Sequence, residues 1–259
     1  MHDQAANVEL AGSILLDDMN WASFTCGAHR LQNAIKTALS NCAGSILNEL
    51  LTDCRKIATH FHKSSLAAEA LEQEQKAKGD HPLKAVQDVS TRWNSQFCMV
   101  RRLVQLRVPV TTVLGQSKEK AHRNLSLSGN QWSLAEELVE VLKQLELVTT
   151  TLSGEQYPTL GWLLPLVAGL RRKLEPLDTD TLVISDLKEK LQEQLTERFK
   201  LDDLEPNSLP VLAAALDPRF RNLIFLTAEQ KAEVKGALVT RASSDIEQPA
   251  SCQRQCGKT

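Results

Sequence analysis

Between residues 43 and 240, apolar side chains return every three or four positions. That period sets them on one stripe of an α-helix, so helices rather than a sheet must organise the fold. The clearest run is Trp132, Ala135, Leu138, Val139, Leu142 and Leu145, preceded by two candidate capping boxes, Ser128-x-x-Gln131 and Ser133-x-x-Glu136. Composition agrees. Leu, Ala, Glu, Gln and Lys dominate, and only 4% of the 259 residues are aromatic, where a large β-sandwich would draw more on Tyr, Phe, Val and Ile. With 42% hydrophobic and 24% charged residues, the chain can bury a core.

The same period marks helices elsewhere. Residues 4–18 form one stripe, and Leu31, Ala34, Ile35, Ala38 and Leu39 form another. Over 43–63, Ile46, Leu50, Ile57 and Phe61 share a face. Residues 65–78 read as a more solvated helix, ended by Gly79-Asp80-His81-Pro82. Residues 83–93 look extended, 94–115 helical with a kink at Pro109, and 116–128 a polar loop. Later helices fall at 158–175, 185–200, 208–216 and 227–240, the last capped by Thr227-x-x-Gln230. The best strand candidate is 21–26. From Ala242 onward the small, polar composition predicts a disordered tail.

Thirty Lys and Arg stand against 32 Asp and Glu. A chain that held a phosphate backbone by bulk charge would carry a basic excess. The six cysteines, at 26, 42, 54, 98, 252 and 256, form no C-x-x-C pair, and the opening Met1-His2-Asp3-Gln4 is not a secretory segment. Reduced thiols in an intracellular protein are expected. The longest apolar stretch, 160–170, is interrupted by Gly161, Pro165 and Gly169, so no membrane span is expected.

Several constellations invite a chemical reading beside a structural one. Cys26-x-x-His29 offers a thiolate and an imidazole, but a structural zinc site needs four ligands. A buried thiol with a hydrogen-bonded histidine is the plainer reading. His60-x-His62 points to two faces of a helix and reads as a surface pair. Cys252 and Cys256 read as free thiols. Trp93 is either core or a stacking platform for a base, with Arg92 on a phosphate. Arg101-Arg102 with Arg107, then Lys118, Lys120 and Arg123, then Arg171-Arg172-Lys173 are basic clusters. They read as solvated helix faces, or as the side of a nucleic-acid groove. No G-x-S-x-G, P-loop or G-x-G-x-x-G occurs.

Four segments together resemble one family. His2-Asp3-Gln4-Ala5-Ala6-Asn7 is similar to the T-D-N-x-A-N segment of hAT-superfamily transposases and of the zinc finger BED domain-containing proteins domesticated from them. Cys26-Gly27-Ala28-His29-Arg30-Leu31 resembles their C-x-A-H-x-L motif. Asp88-Val89-Ser90-Thr91-Arg92-Trp93-Asn94-Ser95 is similar to D-V-x-T-R-W-N-S, the most specific of the four. Leu216-Asp217-Pro218-Arg219-Phe220 resembles L-D-P-R-F.

The resemblance implies a ribonuclease H-like core interrupted by a helical insertion. In active members three acids hold two divalent Mg or Mn ions that drive strand transfer. Asp3 matches the second acid, while the first and third have no counterpart here. Arg92 and Trp93 match a pair whose Trp stacks on a flipped base beside a DNA hairpin, and Cys26 and His29 match a motif near the catalytic centre. The family's zinc-binding BED finger and its dimerisation region also have no counterpart. The chain therefore reads as a fragment or truncated product that binds no metal of its own.

The expected fold is mainly α. Residues 1–42 would be a partial ribonuclease H-like α/β remnant, 43–226 the helical insertion, and 227–259 a terminal helix and tail. Unpaired strand edges in the remnant predict that 1–42 is poorly anchored. The expected function is that of a non-catalytic, nuclear, transposase-derived protein, DNA-binding or transcription-associated. The alternative is a helical protein-interaction module with no nucleic-acid role. Expected partners are accordingly DNA, or a protein, which includes a second copy.

Overall fold

The computed structural model describes residues 26–42, 44–89, 93–117, 125–154 and 158–247. Ten helices fill most of that chain: α1 Gly27–Asn41, α2 Gly44–Lys63, α3 Ser65–Ala77, α4 Trp93–Gln105, α5 Arg107–Gln116, α6 Gly129–Leu152, α7 Leu160–Lys173, α8 Leu182–Phe199, α9 Leu209–Leu216 and α10 Ala228–Glu247. No strand occurs among the described residues. Of the strand candidate at 21–26, only Cys26 is described, and it is the N-cap of α1.

Helix α6 organises the packing. It touches α1, α4, α7 and α8, and its stripe from Trp132 to Leu152 is buried. Its start follows from sequence. The Gln131 N–H donates to Ser128 Oγ at 3.3 Å, and the Ser128 N–H donates to Gln131 Oε1 at 2.9 Å. The capping box thus closes on itself and satisfies two backbone donors that a helix start leaves orphaned. The second candidate box, at Ser133 and Glu136, lies inside the helix and caps nothing. Thr227 and Gln230 form the same reciprocal pair at the start of α10, at 3.0 and 3.3 Å.

Four expectations need correction. The run 94–115 is two helices, not one kinked helix: α4 ends at Gln105, and Leu106 leaves helical geometry at φ −94°, ψ 11°. The break precedes Pro109 because the proline ring clashes with the carbonyl four residues earlier, that of Gln105. Within α5, Pro109 occupies the first turn, where its missing N–H costs nothing. On α2, Ile46 is 52% exposed, and Leu47, Cys54 and Ala58 join Leu50, Ile57 and Phe61 in the core instead. Helix α10 continues through Ala242 to Glu247, since extending a formed helix costs little once nucleation is complete.

The fourth correction concerns anchoring. Leu31, Ala34, Ile35 and Ala38 of α1 are fully buried, and α1 packs against α8, α6 and α4. Over the described residues 26–42, its apolar stripe finds partners on helices. Residues 1–25, including Asp3, lie outside the described residues.

Candidate functional site at the Asp88–Ser95 joint

Residues 80–89, in the connection from α3 to α4, form neither helix nor strand and are bonded to α2, α3 and α4. Side chains supply several of their hydrogen bonds. Gln75 lies on the buried stripe of α3 with Ala67 and Leu71. It donates from Nε2 to the Leu71 and Leu83 carbonyls at 3.1 and 3.0 Å, and accepts the Leu83 N–H at 2.8 Å. Arg102 Nη1 donates to the Lys84 carbonyl at 2.9 Å. Gln87 Nε2 donates to Thr59 Oγ1 at 3.2 Å.

At the end of this segment, Asp88 meets Arg55 of α2. Arg55 donates from Nε and Nη2 to both carboxylate oxygens, at 2.9, 3.1 and 2.7 Å. Such a forked pair is among the stronger polar contacts available to a protein. The hydrogen bonding to Asp88 holds the Arg55 guanidinium above its ordinary value. Ser95 then closes the joint. Its Oγ accepts the Val89 N–H at 2.8 Å and donates to the Val89 carbonyl at 2.6 Å.

Trp93 opens α4 and is 3% exposed, its ring 6.4 Å from that of Phe97. The structure therefore places the indole in the core. Arg92 lies outside the described residues, as do Ser90 and Thr91. The neighbouring arginines are engaged by their own protein. Arg101 lies over the Phe97 ring at 4.9 Å, and Arg107 reaches Glu136 at 2.7 Å while covering Trp132 at 5.7 Å. Lys118, Lys120 and Arg123 are outside the described residues.

The Cys26–His29 motif begins α1. The Cys26 carbonyl accepts the Arg30 N–H at 3.0 Å, and its thiol makes no cap hydrogen bond. Gly27 is buried under Leu163, whose Cδ1 would lie 2.4 Å from an added Cβ. His29 is half-buried and Leu31 fully buried. Among the described residues no three His, Cys, Asp or Glu side chains gather as a metal site. His60 is half-buried with its ring edge-on to Phe61, and His62 is exposed. Burial pushes the Cys54 thiol up to about 12, so it is inert. Cys252 and Cys256 are outside the described residues.

The Leu216–Phe220 motif makes a second joint. Arg219 donates to Asp217 Oδ1 and Oδ2 at 2.8 and 2.6 Å, and its guanidinium covers the Trp162 ring at 4.4 Å. Phe220 meets the same indole edge-on at 6.1 Å. The hydrogen bonds from Arg219 hold the Asp217 carboxyl below its ordinary value.

Sequence reading missed Arg55 and Gln75. Gln75 had a signal: it is a polar residue at the i+4 position after Leu71 on an apolar stripe. Arg55 stands four residues after Leu51 and three before Ala58, at the margin of such a stripe.

The two joints of this mainly helical fold coincide with the D-V-x-T-R-W-N-S and L-D-P-R-F segments. Residues 24–141 match the family described as the ZBED1 RNase-like helical domain, a likeness consistent with an hAT-type transposase-derived protein. It is 28% identical over 224 residues to the human zinc finger BED domain-containing protein 4, and 27% over 228 residues to the human zinc finger BED domain-containing protein 6. It is 23% identical over 227 residues to a Zea mays protein named as an AC transposase. These alignments cover 85–86% of this chain but only 18%, 22% and 27% of the respective relatives.

Proposed function

We propose that these helices form a protein-interaction module of a nuclear, transcription-associated protein derived from a transposase, and that the module carries out no strand transfer. In this reading residues 43–226 are the helical insertion, and 1–42 retain part of a ribonuclease H-like core whose helix α1 docks on α8. The observation that carries the reading is the burial of Trp93. A base stacks on an open aromatic face, and an indole 3% exposed offers none. The pairing of Arg102 with the Lys84 carbonyl and of Arg107 with Glu136 supports it further, since neither guanidinium is left idle for a phosphate. The nuclear and non-catalytic parts draw on the relatives named as zinc finger BED domain-containing proteins.

The test has two arms. The chain is tethered to a heterologous DNA-binding domain upstream of a reporter, and the purified chain is titrated with hairpin-ended and random duplex DNA. The reading expects altered reporter output, unchanged by Arg101→Ala with Arg102→Ala, and no preference for the hairpin. A silent reporter together with hairpin-selective binding overturns it in favour of a DNA-handling surface. Nicking in Mg²⁺ or Mn²⁺ overturns its non-catalytic part.

A further inference from the structure

A cleft of about 950 Å³ opens between α7, α8 and the segment that follows α8. One wall is a ridge of Glu189, Glu193 and Glu197, all exposed and all lining the cleft. Spaced four residues apart, they share one face of α8 and span about 12 Å. Glu175, just past the end of α7, adds a fourth carboxylate to the lining. The cleft also has apolar lining. Leu201 and Leu204 are nearly buried in it, Phe225 is partly buried, and Ile224 is 69% exposed.

Folding does not account for the ridge, because like charges at i and i+4 destabilise a helix. Nor does the cleft neutralise it. Arg171 is committed to Asp202 at 2.6 Å, and Lys190, which does not line the cleft, pairs with Glu193 at 3.1 Å and also interacts with Glu189. Glu175 and Glu189 have no ion-pair partner among the described residues. Arg172, exposed on the opposite rim, is the one further cation lining the cleft.

We infer that this cleft docks a basic amphipathic helix from a protein partner. Lys or Arg at its i, i+4 and i+8 positions would face the glutamates, and its apolar stripe would lie on Ile224 and Phe225. Charge complementarity selects this occupant. A nucleic acid would bring phosphates against an acidic wall. A second copy of a chain with formal charge −2 brings no basic excess. The inference rests on the interaction-module reading and names the kind of partner it takes.

The probe is a synthetic helical peptide with Lys at i, i+4 and i+8 and Leu beside them on the same face. A second peptide carries Glu in place of each Lys. Both are titrated into the full chain and into the Glu189→Lys/Glu193→Lys/Glu197→Lys variant, whose changes are confined to exposed positions. The lysine peptide should bind the native chain, lose about tenfold in affinity for the variant, and be replaced there by the glutamate peptide. A Glu→Gln version of the same variant should weaken the lysine peptide without recruiting the other. Equal binding of both peptides, or an affinity that neither variant changes, overturns the inference. So does a concentration-dependent dimer of the native chain that the charge reversal dissolves, because the cleft then belongs to a second copy. Peptide failure with an active tethered reporter rejects the cleft and keeps the module. Charge-selective peptide binding with a silent reporter rejects the module and keeps the cleft.

Discussion

Asp88 accepts three hydrogen bonds from Arg55, 33 residues away in sequence, with its own side chain 2% exposed and that of Arg55 38% exposed. The pair is therefore asymmetric. Removing Arg55 strands a buried carboxylate, whereas removing Asp88 leaves a guanidinium that water can reach. Arg55→Ala should destabilise the protein by about 3 kcal/mol and Asp88→Ala by about 1 kcal/mol, reduced by solvent access to the arginine. Urea unfolding of both variants and of the double variant measures the difference. Equal costs would show that the carboxylate is not held dry.

Trp93 belongs to the same joint, and its burial changes what its substitution reports. Trp93→Ala empties a core site and should cost about 3–5 kcal/mol, while Trp93→Phe keeps most of the volume and should cost less. If chemical denaturation confirms that order, loss of DNA binding in Trp93→Ala alone reports unfolding. Full stability in Trp93→Ala would place the indole outside the core.

The helices were legible because burial imposes a period, and Ser128 and Thr227 were legible because a capping box lies within four residues. The joint was legible only as a motif. Its physical content is the ion pair of Arg55 with the Asp88 side chain and the bonds of Gln75 and Ser95 to the connecting backbone, and bonds between distant residues leave no period in the sequence. Trp93 supported two readings because an aromatic at a helix start looks the same whether it faces a core or a ligand. The α8 ridge was visible as spacing, but the apolar wall opposite it comes from residues after α8 that folding brings back. Ile46 misled because one stripe residue at a helix end can turn outward where no neighbour covers it.

A second buried pair gives a pH-dependent prediction. Lys188 Nζ donates to both oxygens of Asp180 at 2.9 and 2.6 Å, and the two side chains are 9% and 11% exposed. Desolvation pushes the Asp180 carboxyl up, but the hydrogen bonds from Lys188 and the Leu177 N–H, with the lysine charge, outweigh it and hold the group below its ordinary 3.8. A carboxyl depressed in the folded state stabilises the fold above its unfolded value, and that contribution is lost as pH falls through the folded value. The stability gap between the native protein and Asp180→Asn should therefore hold steady above about pH 5 and close as pH falls past the ordinary 3.8 and through the lower folded value. Lys188→Met, which strands the carboxylate, should cost about 3 kcal/mol at neutral pH. A gap that stays constant across the titration would mean that the pair adds no net stability through its charge.

Two glycines of α7 should respond to alanine with opposite signs. At Gly161 a Cβ would stand 3.0 Å from the Ala213 carbonyl oxygen and 3.4 Å from its carbon, both backbone atoms of α9. Backbone held inside a helix cannot swing away as a side-chain end can, so α9 itself must shift. The overpacking cost exceeds the gain in helix propensity, and Gly161→Ala should destabilise by about 1 kcal/mol. At Gly169 nothing lies within 4 Å of the added atom, and the substitution should stabilise by about 0.5–1 kcal/mol. Thermal unfolding of the two variants reads both signs. The Trp162–Arg219 contact joins α7 to the chain just after α9, so Gly161→Ala should also perturb indole fluorescence while Gly169→Ala leaves it unchanged. Stabilisation by both substitutions would show that α7 and α9 do not approach as closely as the Ala213 carbonyl requires.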